Sequence, residues 1–229
     1  MQIIELKDIG KTYHSGGAAV QALADVNLAV EEGEMMALMG PSGSGKSTLL
    51  SILGAMNLPT TGHLVVDGVD VYGLSSEKRA DFRHAYLGFV FQQLQLIPYL
   101  TAVENVMLPL AISRHSQHKQ MEMATSALER VGLTGKLRRL PSQLSGGEQE
   151  RVAIARALVN EPPIILADEP TGSLDTQTGD EVMRTLASVN RDGQTIIVVT
   201  HNPDNTRYVQ RVVSIRDGRI GGESRQTLA

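Results

Sequence analysis

Residues 40–48 read Gly40-Pro41-Ser42-Gly43-Ser44-Gly45-Lys46-Ser47-Thr48, a glycine-rich run that ends on a lysine and two hydroxyls. The five residues before it, Met35-Met36-Ala37-Leu38-Met39, are apolar and short enough for a buried strand; the five after it, Leu49-Leu50-Ser51-Ile52-Leu53, have a helix former's composition. Strand, glycine loop and helix in that order constrain the chain more than any other feature. Glycines let successive backbone N–H groups turn inward around an anion, and the helix N-terminus adds its partial positive charge. Lys46 is placed to reach terminal phosphates, Ser47 offers a hydroxyl to Mg²⁺, and Thr48 is placed for a phosphate nearer the nucleoside. The run predicts a nucleoside triphosphate site. A glycine-rich turn without a ligand is the alternative, and the flanking strand and helix argue against it.

The surrounding chain suits such a site. At 229 residues, 41% hydrophobic and 20% charged, it is long and apolar enough for one unit with a sizeable core. A net charge of −4 gives no global reason to expect nucleic acid. With no cysteine, thiolate metal sites and cysteine nucleophiles are excluded, and a cytoplasmic setting fits. The N-terminus, Met1 to Asp8, alternates like a strand and lacks a signal-peptide layout, and no apolar stretch approaches the ~20 residues that span a bilayer. Work at a membrane would then go through a partner.

Periodicity assigns strands at Ile3–Leu6, Val20–Val30, Glu34–Met39, His63–Asp67, Leu87–Phe91, Ile164–Ala167, Thr195–Val199 and Val212–Ile215. Turns are expected at Ser15-Gly16-Gly17, Glu32-Gly33 and Pro59-Thr60-Thr61-Gly62. Helices are expected around Ser75–His84, through Thr101–Asn160 and over Thr178–Asn190. In the long helical block Val103, Val106, Met107 and Leu110 share one face, and Met121, Ala124, Leu128 and Val131 another. Alternating strands and helices imply an α/β fold, a parallel sheet covered on both faces, with residues 93–160 inserted as helices. No repeat or linker divides the chain.

Two further runs carry chemistry. Ile164-Ile165-Leu166-Ala167-Asp168-Glu169 is an apolar strand ending in two carboxylates, at the edge where such sheets bind ligands. Asp168 there can hold Mg²⁺, leaving Glu169 to orient or deprotonate a water attacking the γ-phosphate. Leu144-Ser145-Gly146-Gly147-Glu148-Gln149 precedes a helical pattern; Ser145 is a natural N-cap, and Gly146 and Gly147 leave backbone donors open to an anion. Alone, that run reads more simply as an ordinary helix start. As a second anion-binding tip beside a single Walker-type lysine, it also fits a site completed on another copy. His115 and His118 have a metal-compatible helical spacing but no third ligand nearby, and read as a solvated face.

Taken together, the motifs and their order resemble the ATP-binding-cassette (ABC) transporter ATPases along essentially the whole chain. Leu-Ser-Gly-Gly-Glu is the most diagnostic run, because other phosphate-loop enzymes lack it. The resemblance implies a P-loop NTPase (RecA-like) core with an N-terminal antiparallel β subdomain and an α-helical subdomain at about 93–160, all within one domain, 1–229. It implies that Tyr13 stacks on adenine, that Gln92 touches Mg²⁺ and the attacking water, that Asp175 joins the two sites of a dimer, and that His201 contacts the γ-phosphate. Taken singly, Tyr13 reads more simply as a half-buried strand residue, while Gln92 has the alternative of a polar strand end and His201 that of a loop histidine.

Within the family, Ala167–Asp175 and Glu104–Leu110 resemble the bacterial branch of lipoprotein-release, macrolide-export, haem-export, peptide-resistance and cell-division ATPases. The implied function is Mg²⁺-dependent ATP hydrolysis by a homodimer closed on ATP. It would drive an integral membrane permease docked near Gln92 and the helical subdomain, on the inner face of the membrane. Rival readings are a soluble cassette acting on DNA or ribosomes, a non-catalytic nucleotide switch and a small-molecule kinase. The first lacks its usual second cassette, coiled coil or zinc module; the second is opposed by Glu169, Gln92 and His201, and the third leaves Leu144–Glu148 unexplained.

Overall fold

The computed structural model describes residues 1–15 and 18–226. Its strands are β1 (Gln2–Ser15), β2 (Ala18–Glu31), β3 (Met35–Met39), β4 (Thr61–Val66), β5 (Val69–Asp70), β6 (Leu87–Val90), β7 (Ile164–Asp168), β8 (Thr195–Thr200), β9 (Arg211–Arg216) and β10 (Arg219–Arg225). Its α-helices are α1 (Lys46–Leu53), α2 (Ser76–Tyr86), α3 (Ala102–Met107), α4 (Gln117–Arg130), α5 (Gly146–Leu158) and α6 (Thr176–Arg191). The strands form two sheets, an antiparallel one ordered β2-β1-β4-β5 and a six-stranded one ordered β10-β9-β3-β8-β7-β6. In the second, β9, β3, β8, β7 and β6 run parallel and β10 is antiparallel to β9.

The alternation of side chains along the parallel strands sorts the core into two layers. Met35 and Ala37 of β3, with Ile165, Ala167, Ile196 and Val198, face a layer formed with α3, α4, α5 and α6. Met36 and Leu38, with Ile164, Leu166, Ile197 and Val199, face the opposite layer, shared with α1 and the antiparallel sheet. A strand buried on both faces needs an apolar residue at every position, which is why β3 and β7 are short continuous apolar runs. Helix α6 shows the other period: Val182, Met183, Leu186 and Val189 are buried along one stripe, capped at the start by Asp175.

Several expectations are corrected. β1 extends to Ser15, far past Leu6, because pairing with β2 continues through polar residues that show no apolar alternation. Of the expected turn Ser15-Gly16-Gly17, Gly16 and Gly17 lie outside the described residues. The strand after Pro59 begins at Thr61, inside the expected turn. β10 holds a single large aliphatic residue, Ile220, and exists through its pairing with β9. The stretch 101–160 is not one helical block. Pro109 turns α3 into the 3₁₀ segment Leu108–Ile112, and two more 3₁₀ turns precede α5. Ala124, Leu128 and Val131 are buried as expected, but Met121 is 41% exposed, since the inward stripe of α4 begins one turn later. His115 precedes α4, whose N-cap is Ser116, so it shares no helical face with His118; the latter sits 3.1 Å from Glu122. No helix among the described residues is long and apolar enough to cross a membrane.

Candidate active site

The functional residues gather at the C-terminal ends of four neighbouring parallel strands, where open α/β sheets bind ligands. From β3 the chain enters the glycine run, with Gly43 at φ 79° and Gly45 at φ 104°, conformations a side chain would strain. Space adds to the demand: a Cβ on Gly45 would lie 2.6 Å from Ala22 O and 2.9 Å from Leu23 Cδ2. Gly218 N–H donates to Ser44 O at 2.9 Å, and Ala24 N–H to Gly218 O at 2.9 Å, so both sheets hold the loop.

Helix α1 starts on Gly45 without a side-chain cap, which leaves its first-turn N–H groups open to an anion. Lys46, 8% exposed, donates from Nζ to Gly40 O at 2.7 Å and Pro41 O at 2.9 Å, which keeps the ammonium inside the loop. Ser44 Oγ is buried without a partner. Ser47 and Thr48 follow on the first turn of α1.

Asp168 closes β7, paired across to Val199 of β8. Its carboxyl is pushed above the usual range by burial, then by neighbouring Glu169, against the pull of the Lys46 ammonium. Two close carboxylates with one cation beside them lack positive charge, and Asp168 and the Ser47 hydroxyl would offer the hard oxygen donors that Mg²⁺ takes. These residues fit the metal.

Glu169 adopts φ 48°, costly for a residue with a side chain, and its N–H donates to Val199 O at 2.9 Å. That turn brings Glu169 Oε1 to 2.8 Å from Nδ1 of His201, the residue after β8. Gly172 N–H donates back to Glu169 O at 3.0 Å. A Cβ on Gly172 would lie 4.0 Å from Gln92 Nε2, so Gln92, just beyond β6, reaches the same turn. Glu169, Thr171, Gly172, Leu174, His201, Asn202 and Pro203 line an open cavity of about 350 Å³.

Tyr13 stands at the rim. It pairs with Val20, is 41% exposed as a residue, and its hydroxyl accepts from Asn57 Nδ2 at 2.6 Å. The Lys11 ammonium lies 4.9 Å from the ring centroid, and Lys11 pairs with Leu23, the residue facing Gly45.

No hydrogen bond among the described residues joins Ser145, Gly146 or Gly147 to the glycine loop, Asp168 or Glu169. Ser145 Oγ accepts from Glu148 N–H at 3.3 Å while Glu148 Oε2 accepts from Ser145 N–H at 3.0 Å, a reciprocal cap. Gly146 abuts Leu174, and a Cβ on buried Gly147 would strike Thr178 Cγ2. Asp175 caps α6 by accepting from Thr178 N–H at 3.0 Å and Thr178 Oγ1 at 2.6 Å, bonds that hold its carboxyl below the usual range. The glycine tip of α5 and the Ser173–Asp175 loop therefore form one surface. Helix α5 packs on β6, three strands from β3, or roughly 14 Å of sheet at the usual strand spacing.

Sequence reasoning missed three polar residues whose surroundings only the fold supplies. Arg156 of α5 donates to Leu94 O at 2.6 Å and Gln95 O at 2.8 Å, tying α5 to the segment that follows Gln92. Glu150 is 2% exposed with Oε1 unpartnered. Asn205 is 3% exposed and bonds two threonines beside the cavity. None stands in a local pattern; each acquires its meaning from segments distant in the chain.

The sequence pattern of the ABC transporter family matches residues 23–172. YknY of Bacillus subtilis, an ABC transporter ATP-binding protein, is 44% identical over 218 residues, 95% of each chain. The macrolide export ATP-binding/permease protein MacB of Syntrophobacter fumaroxidans is 49% identical over 227 residues, 98% of this chain and 32% of its own. The chain thus spans about a third of that relative and nearly all of YknY. Among solved structures, the ATP-binding cassette MJ0796, of Methanocaldococcus jannaschii, in a dimeric post-hydrolysis state bound to ADP and Pi, superposes with a TM-score of 0.88. It is 44% identical, with 97% of this chain and 98% of that one covered.

Proposed function

We propose that this chain, which belongs to the ABC transporter family and is one of its ATP-hydrolysing subunits, converts ATP turnover into the closing and opening of a homodimer that moves a membrane permease. The observation that carries the reading is the contact of Glu169 Oε1 with His201 Nδ1 at 2.8 Å, beside Asp168, whose carboxyl feels the Lys46 ammonium. In the proposed cycle the Gly40–Thr48 backbone and Lys46 hold the β- and γ-phosphates, and the exposed face of Tyr13 stacks on adenine. Ser47, Asp168 and Gln92 would hold Mg²⁺, which when bound would offset the charge of the phosphates. Glu169 accepts the proton of the attacking water, and the His201 ring keeps that carboxylate oriented towards the γ-phosphate.

The separation of the Ser145–Gly147 tip from the cradle of its own chain supports a head-to-tail pair, in which each tip caps the γ-phosphate held by the other copy. The Ser173–Asp175 loop, lying against that tip, would link the two sites. Residues 93–160 would act as a helical subdomain docking the permease, with Arg156 transmitting between α5 and the segment after Gln92. That places the chain on the inner face of the membrane through its partner. The permease half of the MacB relative's name supports this last step.

Glu169→Gln tests the assignment. It is expected to keep ATP affinity, to lower steady-state phosphate release at least a hundredfold, and to accumulate an ATP-bound dimer on gel filtration. Wild-type turnover in that variant removes Glu169 from the reaction.

A further inference from the structure

The contact between Glu169 and His201 joins two segments that leave different strands: 169–174 after β7, and 201–209 after β8. One buried side chain bridges them. Asn205 lies in the 3₁₀ turn Pro203–Tyr208 and is 3% exposed. Its Nδ2 donates to Thr171 Oγ1 and to Thr200 Oγ1, both at 3.0 Å. Thr171 is two residues after Glu169, and Thr200 immediately precedes His201. Both N–H bonds of one amide are thus committed, one to the segment after β7 and one to the last residue of β8. Thr200 Oγ1 also accepts from Asn202 N–H at 3.1 Å, which secures the start of the turn carrying Asn205. The far end of that turn is held by Arg207 pairing with Asp180 of α6, and by buried Val209.

We infer that Asn205 is a positioning residue for hydrolysis: its amide sets the spacing between the turn of Glu169 and the strand end of His201, so that carboxylate and imidazole meet in the geometry that orients water. The inference rests on the roles proposed for Glu169 and His201. Glu169 holds a left-handed backbone that needs support from around it, and Thr171 lies in the same turn. Without the amide, a buried and a half-buried hydroxyl lose their common donor and the segments are free to shift separately. A misplacement on the ångström scale is enough to slow a step that depends on orientation. Asn205 touches neither the cradle of residues 40–48 nor Tyr13 through any hydrogen bond among the described residues, so nucleotide binding is not its work.

The test is steady-state and single-turnover ATP hydrolysis by Asn205→Ala and Thr171→Val, the second keeping shape while removing one acceptor. Asn205→Ala is expected to lower kcat about tenfold with KM for ATP within about twofold, and Thr171→Val to lower kcat in the same direction by about threefold. If Asn205→Ala does not fold, Thr171→Val carries the test. In a His201→Ala background, Asn205→Ala is expected to add little further loss, because the group it positions is gone. Unchanged kcat in both single variants overturns the inference, as does a tenfold loss that persists in full on top of His201→Ala. Wild-type turnover by Glu169→Gln instead overturns the underlying assignment, a result separate from either.

Discussion

Replacing Glu150 by glutamine is expected to stabilise the protein at neutral pH and to change little at pH 5. Glu150 lies on α5, 2% exposed, with Oε1 lacking any partner. Burial pushes its pKa up to about 8 from an ordinary value of 4.5, against the pull of the Arg156 guanidinium. Between those values the unfolded chain has released a proton that the folded chain keeps. Stability therefore falls as pH rises from about 4.5, and levels off once the folded carboxyl ionises near pH 8. Each unit is worth about 1.36 kcal/mol, so the handicap reaches about 3 kcal/mol at pH 7.

Glutamine has nearly the same shape and carries no charge, so Glu150→Gln is spared this loss. Urea unfolding followed by circular dichroism, on both proteins from pH 5 to 8.5, measures the gap. The expected result is near-coincidence at pH 5, with Glu150→Gln ahead by about 3 kcal/mol at pH 7. Curves that stay parallel across this range refute the reasoning, since they would mean that Glu150 has the same affinity for its proton folded and unfolded.

Gly147→Ala is expected to destabilise the fold by about 1–3 kcal/mol, because its Cβ meets Thr178 Cγ2. Adding Thr178→Ser, which removes that methyl and keeps the hydroxyl bonded to Asp175, is expected to restore most of the loss in thermal unfolding. Lys46→Ala is expected to weaken ATP binding at least tenfold by fluorescent-nucleotide titration while leaving the melting temperature of the nucleotide-free protein nearly unchanged. Unaltered affinity would count against the cradle.

The parts of the fold readable from sequence were those whose physics is local. Met35–Met39 and Ile164–Ala167 announce strands buried on both faces because every position must be apolar. Ser145 announces a helix start because a serine just before a helical pattern is a natural N-cap. Lys46, Asp168 and Glu169 could be placed at one sheet edge because each adjoins such a strand. What escaped is set by partners far along the chain. β10 owes its existence to β9, the long hairpin past Leu6 to pairing between polar residues, and the exposure of Met121 to where α4 turns inward. Gly147 reads as an open donor at a helix tip, yet its missing side chain is also required by Thr178. Asn205 and Glu150 carry no signal in their neighbourhoods at all; only the folded chain reveals what surrounds them.

The stitching of Ser44 and Gly45 to Ala22, Ala24 and Gly218 has a consequence for anyone wishing to pare the protein down. The antiparallel sheet is the roof of the phosphate loop, so a minimal fragment starting at β3 would leave Gly45 uncovered and the loop's amides without their mould. Cuts made between β6 and β7 would spare that roof but take away α3, α4 and α5, the layer that packs on the other face of β3.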